Sequence, residues 1–164
     1  MYSRWQRFAL ASQVSLLIYF QTCMWLPLHS WNNNWSFPTQ HSLQSSIGPL
    51  AIGFGTGLLI AATIWRIQWL MWIGVFGHFL WFITQAATIW PPYIVGASEA
   101  YASMYHRVWG QTTKLLPSWG NHLAPDGMHI IIQGLLLAVL SSTIVVLLAG
   151  GGDSRSAGEL GAIG

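Results

Sequence analysis

Charge is what this chain has least of. Its 164 residues include six Lys/Arg and four Asp/Glu, 6% of the total, where soluble domains carry about 25%. So few charges cannot solvate the surface of a water-soluble domain, and the 53% of hydrophobic residues must face lipid as well as one another. The same scarcity speaks against a nucleic-acid interface, which needs clustered Lys and Arg. Cysteine is nearly absent: Cys23 stands alone, so neither an intrachain disulfide nor paired-thiol exchange chemistry is open to the chain. No carboxylate lies within a long apolar run, which removes the intramembrane acid used by proton- or cation-coupled carriers. There is no internal repeat of the kind many transporters show. No Gly-x-Ser-x-Gly frames a nucleophile. The run Gly53-Phe54-Gly55-Thr56-Gly57 lies inside an apolar segment and lacks the lysine of a phosphate-binding loop.

What is present is apolar length. A hydrocarbon core of about 30 Å needs about 20 residues of helix, and four segments have that length: 8–28, 47–65, 68–90 and 128–149. Eleven tryptophans agree, because indole rings favour the membrane–water interface. The expected fold is an all-α integral membrane bundle of four transmembrane helices in a single domain, residues 1–164. The first segment has a basic flank that suits a signal peptide, but it is long and no small-x-small cleavage site follows, so a retained helix is expected. Pro27 ends the first span, Pro91-Pro92 end the third, and Asp126 is placed to cap the fourth. Trp65-Arg66-Ile67-Gln68 predicts a tight hairpin between spans two and three. Residues 29–46 read as a polar loop without charge. A short extramembrane helix is expected from Ser98 to Trp109, between Gly96 and Gly110, and a flexible Gly/Ser-rich tail over 150–164. Arg4, Arg7, Arg66 and Arg155 fall on one side of this topology and Arg107 and Lys114 on the other, which predicts cytoplasmic N- and C-termini.

Helices in lipid associate through small residues and a few hydrogen bonds. Gly53, Gly57 and Ala61, and separately Gly134, Ala138 and Ser142, repeat at spacing four. Each stripe predicts a close crossing, either inside the bundle or with another membrane subunit. His78 is the titratable group nearest the middle of a span, a costly place for one. Gly74, His78, Gln85 and Thr88 share roughly one face, which reads as an inward polar stripe, with Phe79, Trp81 and Phe82 around the imidazole. A small residue one turn before a His resembles helices of light-harvesting proteins that ligate a chlorophyll, and suits haem. His78, Gly74, Trp81, Phe82 and Gln85 are therefore the candidate site for a tetrapyrrole, carotenoid or quinone. The plain alternative is a neutral His78 bonded to a backbone carbonyl or to Gln133, Thr56 or Thr63. The other histidines, His29, His41, His106, His122 and His129, fall on the outer side. His106, His122 and His129 are the candidate metal ligands, although their spacing matches no metal motif; solvated interfacial histidines are the alternative.

The run Trp90-Pro91-Pro92-Tyr93-Ile94-Val95-Gly96, followed by Tyr105, Gly110-Gln111-Thr112, Leu116-Pro117, Pro125-Asp126 and His129, resembles a family of uncharacterised small bacterial four-helix membrane proteins over residues 80–135. This chain departs from the family pattern in having no second His later in the last helix. The resemblance implies a small hydrophobic bundle in a bacterial plasma membrane and implies no activity. Tyr93, Gly96, Tyr105, Asp126 and His129 also read as a fold device, with Gly96 turning the chain and Asp126 capping the last helix. Three functions are carried forward. The first is a non-catalytic accessory or scaffold subunit of a larger membrane complex. The second is a pigment-, haem- or quinone-binding protein using His78. The third is a small membrane enzyme whose outer-side site uses His106, His122, Asp126 and His129.

Overall fold

The computed structural model describes residues 2–32 and 43–160. His41 and most of the polar loop lie outside them. The described residues form five α-helices: α1 (Arg4–Trp25), α2 (Leu43–Trp65), α3 (Gln68–Ile94), α4 (Glu99–Trp109) and α5 (Gly127–Leu160), with one 3-10 turn at His29–Trp31. Four of them contain segments long and apolar enough to cross a membrane: Arg4–Trp25, Ile47–Trp65, Gln68–Ile94 and Gly127–Ala149.

Local chemistry sets the ends. Ser3 caps α1 by accepting a bond from the Gln6 amide (3.1 Å), so the helix starts a turn earlier than its apolar residues suggest. Leu26, the residue after the last helical one, is extended, as a residue just before a proline prefers, and α1 stops there. The expected end of α3 at residue 90 is corrected. The helix runs through Pro91 and Pro92 to Ile94, and Val95 N–H bonds the Pro91 carbonyl at 2.8 Å. Proline at 92 removes the amide that would bond the Thr88 carbonyl, and the Tyr101 hydroxyl of α4 donates to that carbonyl instead, at 2.8 Å. The missing helical bond is thus replaced from outside the helix, a long-range event that local punctuation does not foretell. The short helix expected after Gly96 is α4, capped by Ser98. Gly96 itself has φ +101°, and a Cβ there would collide with Asn121, so only glycine fits that turn. α5 continues beyond its apolar segment to Leu160.

The hairpin between α2 and α3 closes through Arg66, which adopts φ 56°, a left-handed position usually given to glycine. The Ile67 amide reaches back to the Ala62 carbonyl at 2.9 Å. The Arg66 guanidinium donates twice to Gln6 Oε1, at 3.0 and 3.3 Å, and so ties the hairpin to the start of α1.

The four long helices form a ring in the order α2, α1, α5, α3, each packed on its two neighbours, with α1 on α5 the most extensive contact. α2 and α5 face each other across the ring, so the two small-residue stripes do not form one crossing. Gly53 is filled by the Gln21 side chain of α1, while a Cβ at Gly57 or Gly134 would meet nothing within 4 Å. Ser142 is buried and lies 3.2 Å from Ser12 of α1.

Polarity is distributed inside out. Fully buried apolar residues such as Leu16, Leu59, Ile132 and Leu136 make the core, but Gln6, Gln13, Thr56, Thr63, His78, Gln133 and Thr143 are buried with them. Phe54 (70% exposed), Trp65 (71%), Trp69 (66%) and Phe76 (63%) point outward. The end of the ring at the start of α1 and the end of α2 contains a hydrogen-bonded ladder. Gln6 Nε2 donates to the Thr63 carbonyl at 2.8 Å, and Gln13 Nε2 donates at 3.0 Å to the hydroxyls of both Thr63 and Thr143. One glutamine thereby joins α1, α2 and α5.

Candidate functional site

His78 is buried, and its protons can be counted. Nδ1 lies 2.8 Å from the Gly74 carbonyl, an acceptor only, so Nδ1 carries the hydrogen. A neutral imidazole then has a bare Nε2; Thr56 Oγ1 lies 3.1 Å from it and 2.9 Å from the Ile52 carbonyl, so its single hydrogen serves one of these two acceptors at a time. Both ring nitrogens thus lie within hydrogen-bond distance of protein atoms. The alternative of a His bonded to a backbone carbonyl and to Thr56 describes this arrangement. Metal ligation by Nε2 would require displacing Thr56.

Beside His78, between α2 and α3, lies an outward-opening groove of about 360 Å³ lined by Gly55, Gly74, Gly77, Leu58, Ile73 and Trp81 among others. The five candidate cofactor residues do not share it. His78, Gly74 and Trp81 do, whereas Gln85 lines a different cavity, and Phe82 packs against the core. Trp81 borders both spaces, with its ring 6.2 Å from the imidazole and edge-on to Phe20 at 5.0 Å. The polar stripe of α3 turns only partly inward: Thr88 is exposed and bonds the Thr84 carbonyl of its own helix at 2.6 Å.

The second cavity, about 320 Å³, opens toward the ring's other end and is bordered by Phe20, Ile52, Trp81, Gln85, Trp109 and His129 among others. A smaller one of about 150 Å³ shares Gln85, Trp109 and His129 and adds Tyr101, Tyr105 and Asp126. Here the chain assembles a polar cluster. Asp126 is buried and caps α5, accepting the His129 amide at Oδ1 (3.1 Å) and His129 Nδ1–H at Oδ2 (2.6 Å). Burial pushes the Asp126 carboxyl up, but the His129 side-chain bond and charge, the His129 amide and Lys114 together hold it below its ordinary range. Lys114 donates to the Trp109 carbonyl (2.5 Å) and the Thr112 hydroxyl (2.7 Å), and its ammonium lies 4.7 Å from the centre of the Tyr105 ring. Burial lowers its pKa, with the Asp126 charge opposing. The Tyr105 hydroxyl donates to the Ala124 carbonyl; burial and the Asp126 charge push its pKa up. The Trp109 ring meets His129 edge-on at 5.8 Å.

Among the described histidines other than His78, only His129 enters this cluster. His106 is exposed on α4 and stands edge-on to Tyr105. His122 bonds the Tyr93 carbonyl through Nδ1 at 2.9 Å and stacks on Trp119. Among the described residues, no three His, Cys, Asp or Glu side chains come together to hold a metal ion. Lys114 and Trp109 escaped the sequence reading, because their contacts with Asp126 and His129 span the loop after α4 and follow no local spacing. The Gln13 ladder escaped it too, since a glutamine near a helix start reads as interfacial. Comparison with protein families, curated proteins and solved structures matches nothing.

Proposed function

We propose that the protein is a non-catalytic subunit of a larger membrane complex, embedded in a bacterial plasma membrane with both termini in the cytoplasm, and that it holds a neighbouring transmembrane helix in the α2–α3 groove. The membrane placement is supported by polar residues within the ring and bare aromatics on its outside, the reverse of a soluble protein. The orientation is supported by Arg4, Arg7 and Arg66 at the end with the N-terminus.

The observation that carries the subunit reading is the groove itself. Only 17% of the most apolar stretch of α3 and 22% of that of α2 is buried within the chain, against 44% for α5. On this bare side Gly55 and Gly77 meet nothing within 4 Å, so two backbones lie open to close approach. Close backbone approach is what transmembrane association uses, because apolar side chains gain little on leaving lipid for a partner helix. His78 lines the groove with Nδ1 bonded to the Gly74 carbonyl and Nε2 against Thr56, which leaves a mainly apolar, shape-dependent surface. Gentle solubilisation followed by native electrophoresis tests the reading. The expected result is migration as part of a larger assembly, lost in Gly77→Leu while that variant keeps its helicity. A lone monomer under every mild condition refutes it.

A further inference from the structure

The hairpin end of the ring carries positive charge that no described carboxylate neutralises. Arg66 joins α2 to α3, and its guanidinium lies against Gln6, a neutral amide. Arg4 and Arg7 stand on either side of Gln6 in the sequence, and all three arginines are exposed. Among the described residues the one ion pair is Asp126 with His129, at the other end of the ring. The guanidinium is held in place from below. Gln6 is 1% exposed, and its Nε2 donates to the Thr63 carbonyl at 2.8 Å, which fixes its Oε1 as an anchor. Arg66 Nε–H and one Nη2–H donate to that oxygen at 3.3 and 3.0 Å, which uses the side-on fork of the guanidinium. A guanidinium has five N–H donors, so the two on Nη1 and the second on Nη2 remain, and no described residue accepts from them. One from each nitrogen forms the end-on fork, whose spacing matches two oxygens of a phosphate. This arginine also holds φ 56°, a conformation glycine adopts without strain.

We propose that the free fork of Arg66 binds the phosphate of an anionic phospholipid, with the charges of Arg4 and Arg7 favouring a head that is negative overall. The two unesterified oxygens of the phosphodiester accept from Nη1–H and Nη2–H, and the acyl tails stay in the bilayer. Depth supports a lipid as the source of the phosphate. Trp65 (71% exposed) and Trp69 (66%) flank Arg66 and point outward, and indole rings settle at the level of the headgroups. The anions at that level are lipid phosphates, and basic side chains near the surface are drawn to anionic lipids. A guanidinium bonded to a carboxylate would have its charge already matched; bonded to Gln6, it keeps its full attraction for an anion. The proposal rests on the chain lying in a bilayer, as inferred above, and does not need the neighbouring subunit.

The test is native mass spectrometry of the whole chain, stripped of lipid in neutral detergent micelles, which counts bound lipids singly. The probes are dioleoyl phosphatidylglycerol, dioleoyl phosphatidylcholine, and glycerol phosphate, which has the phosphate without the tails. The expected result is one phosphatidylglycerol held at least about tenfold more tightly than phosphatidylcholine, the attraction of two or more arginines for a net anion being worth about that factor. Excess glycerol phosphate does not displace it. Arg66→Lys keeps the charge and loses the fork, and lowers phosphatidylglycerol affinity about tenfold, as loss of a charge-assisted hydrogen bond does. Arg107→Ala, at the opposite end of the ring, leaves it unchanged. Arg66→Gly relieves the backbone while removing the fork, so it keeps the test sound if Arg66→Lys fails to fold. Phosphatidylcholine binding as tightly as phosphatidylglycerol, displacement by glycerol phosphate, or unchanged affinity in Arg66→Lys or Arg66→Gly overturns the proposal. Resistance of the protein to alkaline carbonate extraction reports the bilayer placement separately, so embedded protein without the lipid preference sinks the site alone.

Discussion

Gly74 and Gly77 sit three residues apart in one helix, yet alanine should have opposite effects at the two. A Cβ on Gly74 would lie 2.6 Å from Leu59 Cδ1 and 3.2 Å from Leu59 Cβ, while one on Gly77 would meet nothing within 4 Å. Leu59 is 1% exposed. Its Cδ1 and its Cγ, 3.2 Å from the added Cβ, are held in a buried site and give way only if their neighbours or α2 move. Shifting α2 also stretches the 3.1 Å contact between Thr56 and His78. Overpacking of this kind costs about 1–3 kcal/mol. Both variants share the helix-propensity gain of up to about 1 kcal/mol for replacing glycine, so the gap between them is the packing term alone, about 1–3 kcal/mol. Reversible unfolding in mixed micelles, followed by far-UV circular dichroism as denaturing detergent is added, measures it. Leu59→Ala alone should cost about 2–5 kcal/mol, and combining it with Gly74→Ala should cost at least about 1 kcal/mol less than the sum. Gly74→Ala and Gly77→Ala within about 0.5 kcal/mol of each other, the usual limit of additivity error, would refute the contact between α2 and α3 as described.

Three further outcomes follow from the ends of the ring. Asp126 has a lowered folded pKa, so its contribution to stability is present above the unfolded Asp value of about 3.9 and is lost as pH falls through the lower folded value; unfolding titrations at neutral and strongly acid pH should show wild type losing more than Asp126→Asn. At Arg66, alanine loses the bonds to Gln6 and keeps the left-handed backbone, whereas glycine loses the bonds and relieves the backbone, so Arg66→Gly should be about 1 kcal/mol more stable than Arg66→Ala; equal stability would contradict the φ of 56°. Tyr105→Phe removes the donor to the Ala124 carbonyl and should cost about 1–2 kcal/mol, visible as faster trypsin cleavage after Lys114, whose ammonium is held by Trp109 and Thr112 in the wild type.

The sequence by itself determined the helical class and its punctuation. Six per cent charge and four long apolar runs point to helices of spanning length, and four such helices are present; Gly96 and Asp126 act within a few residues of where they stand, as a turn and a cap. The tertiary structure alone decided which polar groups meet. By spacing, His78 reads either as a ligand or as a histidine facing Gln133, Thr56 or Thr63, and only the packing of α2 on α3 sets Thr56 against it. Pro91 and Pro92 looked like a stop because the hydroxyl that takes the freed carbonyl belongs to Tyr101, across a turn. Gln85 read as a neighbour of His78 by helical spacing, yet the Trp81 ring divides their two cavities. Helical periodicity fixes the direction of a side chain but not what stands opposite it. The order of the helices around the ring sets that, and with it the separation of an outward glycine groove from a second cavity under Asp126 and His129.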